Sequence, residues 1–246
     1  MEYVNTVGLR LDGRRPNEIR QLRAEMSTLA SADGSATFEM GNTKVLAAVY
    51  GPREASNRAQ TNTSKATVRC EYSMAAFSSG ERRRHGKSDR RATETSLAIA
   101  NTLEQNILTE LLPRTQIDIY VQVLQADGGM RCAAINAAFL ALADAGVPMR
   151  DSVAACAAGY LDGTALLDLN YTEDGGGGPE VAVALQTGLD QVLMLQTDSK
   201  LSMEVFEEVV ELASNGCRAV AEFLRTTLLA HVGRLSLATS IAKSEA

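Results

Sequence analysis

Between Ile117 and Ala145 the chain changes from two-residue to helical patterning across a pair of glycines, and no other stretch constrains its fold as tightly. Ile117, Ile119, Val121 and Val123 alternate with Asp118, Tyr120 and Gln122. The alternation predicts a strand with one buried face, ending at an Asp127-Gly128-Gly129 turn. An Ala-rich helix follows from about Arg131 to Ala145, stopped by Gly146 and Pro148. Its small side chains suit close packing under a sheet. A strand that feeds a helix through two glycines calls for a layered fold of sheet and helix.

The rest of the chain repeats the theme. Alternation at Ala36 to Met40 and at Thr43 to Tyr50, on either side of Gly41-Asn42, predicts a β-hairpin. Thr67 to Tyr72 reads as a strand. Thr93 to Leu111 reads as a helix, with Ile99, Leu103, Ile107 and Leu111 on one face. Strands are predicted at Ser152 to Tyr160, Thr164 to Asn170, Val181 to Leu185 and Gln191 to Thr197, with a flexible glycine loop at Asp174 to Gly178. A last helix from Ser202 to about Arg234 places Val205, Val209, Leu212, Val220, Leu224 and Leu228 largely on one side, with Gly216 as a point where it bends or splits. The class is α+β. With 45% hydrophobic residues and no linker, residues 1–246 read as a single domain with its core at about 8–235. The tail 236–246 has little to bury and is expected to be mobile.

Composition removes several functions. No apolar stretch approaches the roughly 20 residues that span a bilayer, and the Met1-Glu2 start has no apolar signal core, so a soluble, unsecreted protein without membrane contact is expected. Cys70, Cys132, Cys156 and Cys217 stand far apart with no C-x-x-C pair, which suits reduced thiols better than disulfides or zinc. Two histidines argue against a metal cluster. A net charge of -6 argues against a protein that coats nucleic acid non-specifically, so any such contact must be local. One local run fits: Arg82, Arg83, Arg84, Lys87, Arg90 and Arg91 put six cations into ten residues, although a solvated loop would look the same.

Three places can carry chemistry. The glycines of Gln125-Ala126-Asp127-Gly128-Gly129-Met130-Arg131 permit tight backbone turns, and helix N–H groups with the Arg131 guanidinium suit a phosphate. An ordinary strand-to-helix turn is the competing reading. Arg90 and Arg91 open a helix, where the dipole disfavours cations unless an anion, or Asp89 and Glu94, compensates. Glu173, Asp174 and Glu180 flank the glycine loop as a general acid, as ligands of a divalent ion, or as a solvated acidic loop.

Taken together, Gly8-Leu-Arg-Leu-Asp-Gly-Arg-Arg15, Ala32-Asp-Gly-Ser35, Glu39-Met-Gly-Asn-Thr-Lys-Val45, Tyr50-Gly-Pro-Arg53, Gln125-Ala-Asp-Gly-Gly129 and Ala141-Leu-Ala-Asp-Ala-Gly-Val-Pro-Met-Arg-Asp151 resemble the RNase PH family. Within it they resemble the ring subunits of the RNA exosome, over about Gly8 to Arg234. The resemblance implies an RNase PH-like domain, related to the second domain of ribosomal protein S5, with mixed sheets packed against helices. It implies a six-membered ring of paired RNase PH-like subunits around an RNA channel. S1 and KH cap proteins would sit on one face and hydrolytic nucleases would attach, in nucleus, nucleolus and cytoplasm.

The family reaction uses inorganic phosphate as co-substrate to release nucleoside diphosphates from the 3′ end of single-stranded RNA. By the resemblance, Arg91, Arg131, Gly129 and Met130 fall on phosphate-binding positions, and Arg82, Arg83, Arg84, Arg90 and Arg91 on RNA-binding ones. Glu180 takes the place of the acid that protonates the leaving 3′ oxygen, with Asp174 the candidate for a Mg²⁺ ion.

Two positions depart from the active pattern. Met130 stands where the family has Thr or Ser, which removes a phosphate hydrogen bond and costs about 10- to 150-fold in affinity. Glu180 stands where the family has Asp, which moves the carboxyl out by about 1 Å, a displacement that can cost ~10²-fold. Two readings stay open: a phosphorolytic 3′-to-5′ exoribonuclease with a weakened site, and a non-catalytic channel subunit that feeds hydrolytic nucleases. A free-standing RNase PH trimming transfer RNA fits the fold but not the motifs at Gly8 to Arg15 and Tyr50 to Arg53.

Overall fold

The computed structural model describes residues 3–5, 8–55, 62–80, 82 and 89–244, with side chains described to 237. Strands β1 (Leu22–Met26), β2 (Gly34–Met40), β3 (Thr43–Glu54), β4 (Thr67–Met74) and β5 (Thr115–Gln125) form one sheet in the order β1-β2-β3-β5-β4. The β2–β3 hairpin turns at Gly41-Asn42 as its pattern requires, with Met40 opposite Thr43. Strand β4 runs parallel to β5 and reaches it through helix α1 (Arg90–Asn106). A second sheet has the order β7-β6-β8-β9, from β6 (Val153–Leu161), β7 (Thr164–Leu167), β8 (Glu180–Gln186) and β9 (Gln191–Thr197).

Helix α2 (Met130–Asp144) lies between the sheets, against β2, β3 and β5 on one side and β6 and β8 on the other. Every residue from Cys132 to Leu142 is therefore buried, which explains the alanines: a helix with no solvent face needs small side chains on all sides. The approach is close enough that a Cβ on Gly34 of β2 would come within 2.3 Å of the Ala141 carbonyl oxygen. On the other side the Asn136 side chain donates to the Ala155 carbonyl and accepts from its N–H, on the edge of β6 that β7 does not reach. The short helix α3 (Tyr171–Asp174) follows β7. Helix α4 (Met203–Ser244) packs on β6, β7 and β8 and reaches the first sheet, where Phe223 meets Phe38 edge-on at 6.4 Å. No helix among the described residues is long and apolar enough to cross a membrane.

Several boundaries differ from the pattern, each for a visible reason. Helix α1 begins at Arg90 because Asp89 caps it, accepting from the Arg91 N–H at 3.1 Å, and it ends at Asn106. Ile107 instead bridges to Met149, and Leu111 sits 66% exposed in a 3₁₀ turn. The second face of β5 is not uniformly wet: Asp118 is buried against Arg53 and Gln116. Gly216 does not split α4. An added Cβ there would lie 2.7 Å from Leu167 and 2.9 Å from the Cys156 sulfur, so the glycine lets α4 lie close on the second sheet. The helix continues through Ser244, beyond the expected end near Arg234.

Candidate active site

The two glycines after β5 are held from behind. The Asp127 carbonyl accepts from Arg20, and the Gly128 carbonyl accepts from Thr43 Oγ1 at 2.8 Å and from Arg20 Nη2 at 3.3 Å. Thr43 Oγ1 also accepts the Asp127 N–H at 3.1 Å. The Asp127 carboxylate accepts from Asn42 at 3.0 Å and from the Tyr171 N–H at 3.1 Å, tying the turn to α3. Gly128 is left-handed (φ 75°) and packs against the Leu169 carbonyl, which a Cβ would approach to 2.4 Å. Gly129 is the N-cap of α2, also left-handed, with no side-chain cap. The first N–H groups of α2 are thus left for an outside acceptor.

These residues floor a cleft of about 1530 Å³. One wall comes from the first sheet and α1: β4 and the turn from Arg91 to Leu97. The other comes from the second sheet and α3: Asp174, Glu180, Ala182 and Gln196 to Asp198. Arg91, Gly129, Met130, Arg131, Asp174 and Glu180, read from the sequence as site residues, all line it. Arg82 and Arg90 do not; both are exposed outside it. Arg83 and Arg84, with the rest of the basic run at 85–88, lie outside the described residues.

Electrostatics divide the lining into roles. Among the described residues Arg131 forms no salt bridge, and its buried Nε has no hydrogen-bond partner. A buried guanidinium edge without a partner is costly unless an acceptor arrives from outside. Arg91 forms no salt bridge with Asp89 or Glu94: Asp89 is occupied as the helix cap, and Glu94 accepts from Gln196 at 3.4 Å. Burial foremost, then the charge of Asp174, raises the Glu180 carboxyl to about 7, while Arg131 pulls the other way. Asp174 is itself raised by burial and by Asp198. Burial raises the Cys70 thiol to about 12 and the Cys132 thiol well above its ordinary value, so neither cleft cysteine is a nucleophile at neutral pH. No group of three or more His, Cys, Asp or Glu able to hold a metal exists among the described residues, so Asp174 has no ligand set around it there.

Glu173 corrects the sequence reading. It is no part of the cleft: fully buried, it closes the α3 capping box with Asn170 and accepts from Arg10 Nε at 2.8 Å. Arg20 and Asp168 were missed. Arg20 meets Asp168 with Nε–Oδ2 and Nη2–Oδ1 contacts of 2.8 and 2.7 Å, behind the glycine turn. The two are 148 residues apart, and no local spacing marks the pair.

A cleft with two unpaired arginines, uncapped helix amides and a carboxylic acid that is half protonated near neutrality can hold an anion and give up a proton beside it. The chain belongs to the RNase PH, or 3′ exoribonuclease, family: residues 18–148 match its domain 1 and residues 151–216 its domain 2. Among its relatives, the "exosome complex component RRP41 homolog" of Arabidopsis thaliana is 62% identical over 229 residues, covering 93% of this chain and 95% of that protein. The "exosome complex component RRP41" of Mus musculus is 48% identical over 238 residues, 96% of this chain and 97% of that one. Rice (Oryza sativa) Rrp46 superposes with a TM-score of 0.79 at 29% identity, covering 89% of this chain and 100% of that one. A chain of the Archaeoglobus fulgidus exosome with RNA bound to the active site shares the fold at a TM-score of 0.76 and 20% identity, covering 88% and 92%.

Proposed function

We propose that this chain is a ring subunit of the RNA exosome, acting in 3′-to-5′ RNA processing and degradation, including ribosomal RNA maturation and messenger RNA turnover, and that its cleft carries out phosphorolysis. The exosome assignment rests on 62% and 48% identity, over nearly the whole chain, to proteins named as exosome components. Its partners are paired RNase PH-like subunits and single-stranded RNA, with S1/KH caps and hydrolytic nucleases on the assembled ring. It works in nucleus, nucleolus and cytoplasm.

In the reaction, an oxygen of inorganic phosphate attacks the 3′-terminal phosphorus. The bond from phosphorus to the 3′ oxygen of the preceding nucleotide breaks. That oxygen takes its proton from Glu180, and a nucleoside diphosphate leaves an RNA one nucleotide shorter. Arg131 and the amides opening α2 hold the phosphate, and Arg91 neutralises the RNA backbone. One observation carries the catalytic reading: the acid raised to about 7 lies in the same cleft as the unpartnered Arg131 Nε. An acid that is half protonated near neutrality can give up a proton and be recharged. Asp174 serves by raising Glu180.

Met130 favours a second reading, in which the subunit only guides RNA to hydrolytic nucleases, since it offers no hydroxyl at the mouth of α2. The test is nucleoside diphosphate release from 3′-labelled single-stranded RNA by the reconstituted ring, with and without inorganic phosphate. Phosphate-dependent release abolished by Glu180→Gln supports phosphorolysis. A ring that binds RNA yet releases nothing with phosphate present sinks it in favour of the guide.

A further inference from the structure

A trans peptide is planar, so its C=O and N–H point in opposite directions and fixing one aims the other. The Gly128 carbonyl is fixed inward by two donors, Thr43 Oγ1 at 2.8 Å and Arg20 Nη2 at 3.3 Å. The Gly129 N–H on the same peptide must then point away from Arg20, toward the cleft that Gly129 lines. Arg20 and Asp168 also lie directly against Gly129: a Cβ there would meet Arg20 Nη2 at 3.2 Å and Asp168 Oδ1 at 3.5 Å.

Arg20 is in turn immobile. It is buried, and Asp168 holds its guanidinium through two oxygens and its backbone N–H at 3.0 Å. Thr43 is fully buried and anchored at the head of β3, where it also accepts from the Asp127 N–H. Nothing in this group touches the cleft. Its hydrogen bonds end on the backbone of the glycine turn.

We propose that Arg20, Thr43 and Asp168 are positioning residues for phosphate: from behind the turn they set the Gly128–Gly129 peptide so that its N–H joins the amides of α2 as a donor to the anion. This rests on the phosphorolytic reading above and assigns the phosphate subsite a rigid rear support. The support also bears on Met130: a backbone N–H aimed from behind supplies a donor that does not depend on the missing hydroxyl.

The test is calorimetric titration of inorganic phosphate into the full chain within its reconstituted ring. Two variants remove the support without stranding a buried charge. Thr43→Val deletes the hydroxyl and keeps the shape, and the double variant Arg20→Met with Asp168→Asn deletes the guanidinium and its counter-charge together. Each is expected to weaken phosphate binding about tenfold. Affinity for a 3′-hydroxyl RNA in phosphate-free buffer stays unchanged, and Thr43→Ser, which keeps the hydroxyl, binds phosphate like the wild type. Folded variants with wild-type phosphate affinity would overturn the proposal while leaving phosphorolysis standing. A wild-type ring that binds no phosphate would overturn both.

Discussion

Arg131 and Glu180 line one cleft and feel each other's charge, yet no salt bridge joins them. Had they paired, the arginine would be neutralised and the carboxyl held ionised, and neither could do the work proposed for it. Burial and Asp174 outweigh Arg131 at Glu180 and keep the acid protonatable.

The pH dependence follows with a definite sign. The Glu180 carboxyl is raised from 4.5 to about 7, so the stability tied to its neutral form is fully present below about 4.5 and is lost as pH rises through about 7. Thermal unfolding between pH 4.5 and 8 should show a shallower loss for Glu180→Gln than for wild type, with the variant the more stable at pH 8. The phosphorolytic rate at saturating phosphate should fall above about 7, approaching about tenfold per pH unit. A rate that stays level to pH 9 would remove Glu180 as the acid.

Arg131→Gln separates binding from folding. Because Arg131 has no salt bridge to lose among the described residues and its buried Nε has no partner, the melting temperature should hold or rise rather than fall. Phosphate affinity should fall by about 10- to 150-fold, the worth of a charge-assisted hydrogen bond. Calorimetry with phosphate alongside differential scanning calorimetry reads both quantities.

Met130 should be the reverse case. Met130→Thr places a hydroxyl at the first position of α2, on the cleft floor, and should lower the Michaelis constant for phosphate about tenfold with little effect on RNA affinity. An unchanged constant would mean that the backbone donors already saturate the anion.

Arg10 and Glu173 test the frame of the site. Both side chains are fully buried, and the guanidinium also donates to the Asp168 carbonyl at 3.0 Å. Arg10→Met leaves the buried Glu173 carboxylate only the longer contact with Arg14 at 3.9 Å and should cost about 3 kcal/mol in chemical denaturation. The double variant Arg10→Met with Glu173→Gln, removing both charges of the pair while Arg14 keeps Asp12, should recover much of that loss.

Much of this was legible in the sequence where the signal is local. The β2–β3 hairpin, β5, the glycine turn and α2 follow from periods and turn residues over a few positions; motif resemblance offered Arg91, Arg131 and Glu180, the flank of the glycine loop offered Asp174, and the fold brings all four to one cleft. What was illegible depends on distant pairing. Glu173 looks like its neighbour Asp174 in sequence; its capping-box spacing from Asn170 was a local signal that went unread, and its buried ion pair with Arg10, 163 residues away, had none. Arg20 reads as one more cation in a polar start, and its role exists only once β7 delivers Asp168 beside the glycine turn. The Leu111 misreading is of the same kind: a fourth-residue spacing continued past the point where Ile107 bridges to Met149.

The helix between the sheets has one more consequence. Arg91 stands on the first sheet's side of the cleft and Glu180 on the second's, with α2 packed between the two sheets. The width of the aperture is therefore gauged by methyl groups, chiefly Ala133, Ala134, Ala137, Ala138 and Ala141, all without solvent exposure. A leucine at any of them acts as a shim, prying acid and arginine apart from deep inside the molecule. The opening of the cleft is thus set by the thinness of a helix that lines it only at its first turn.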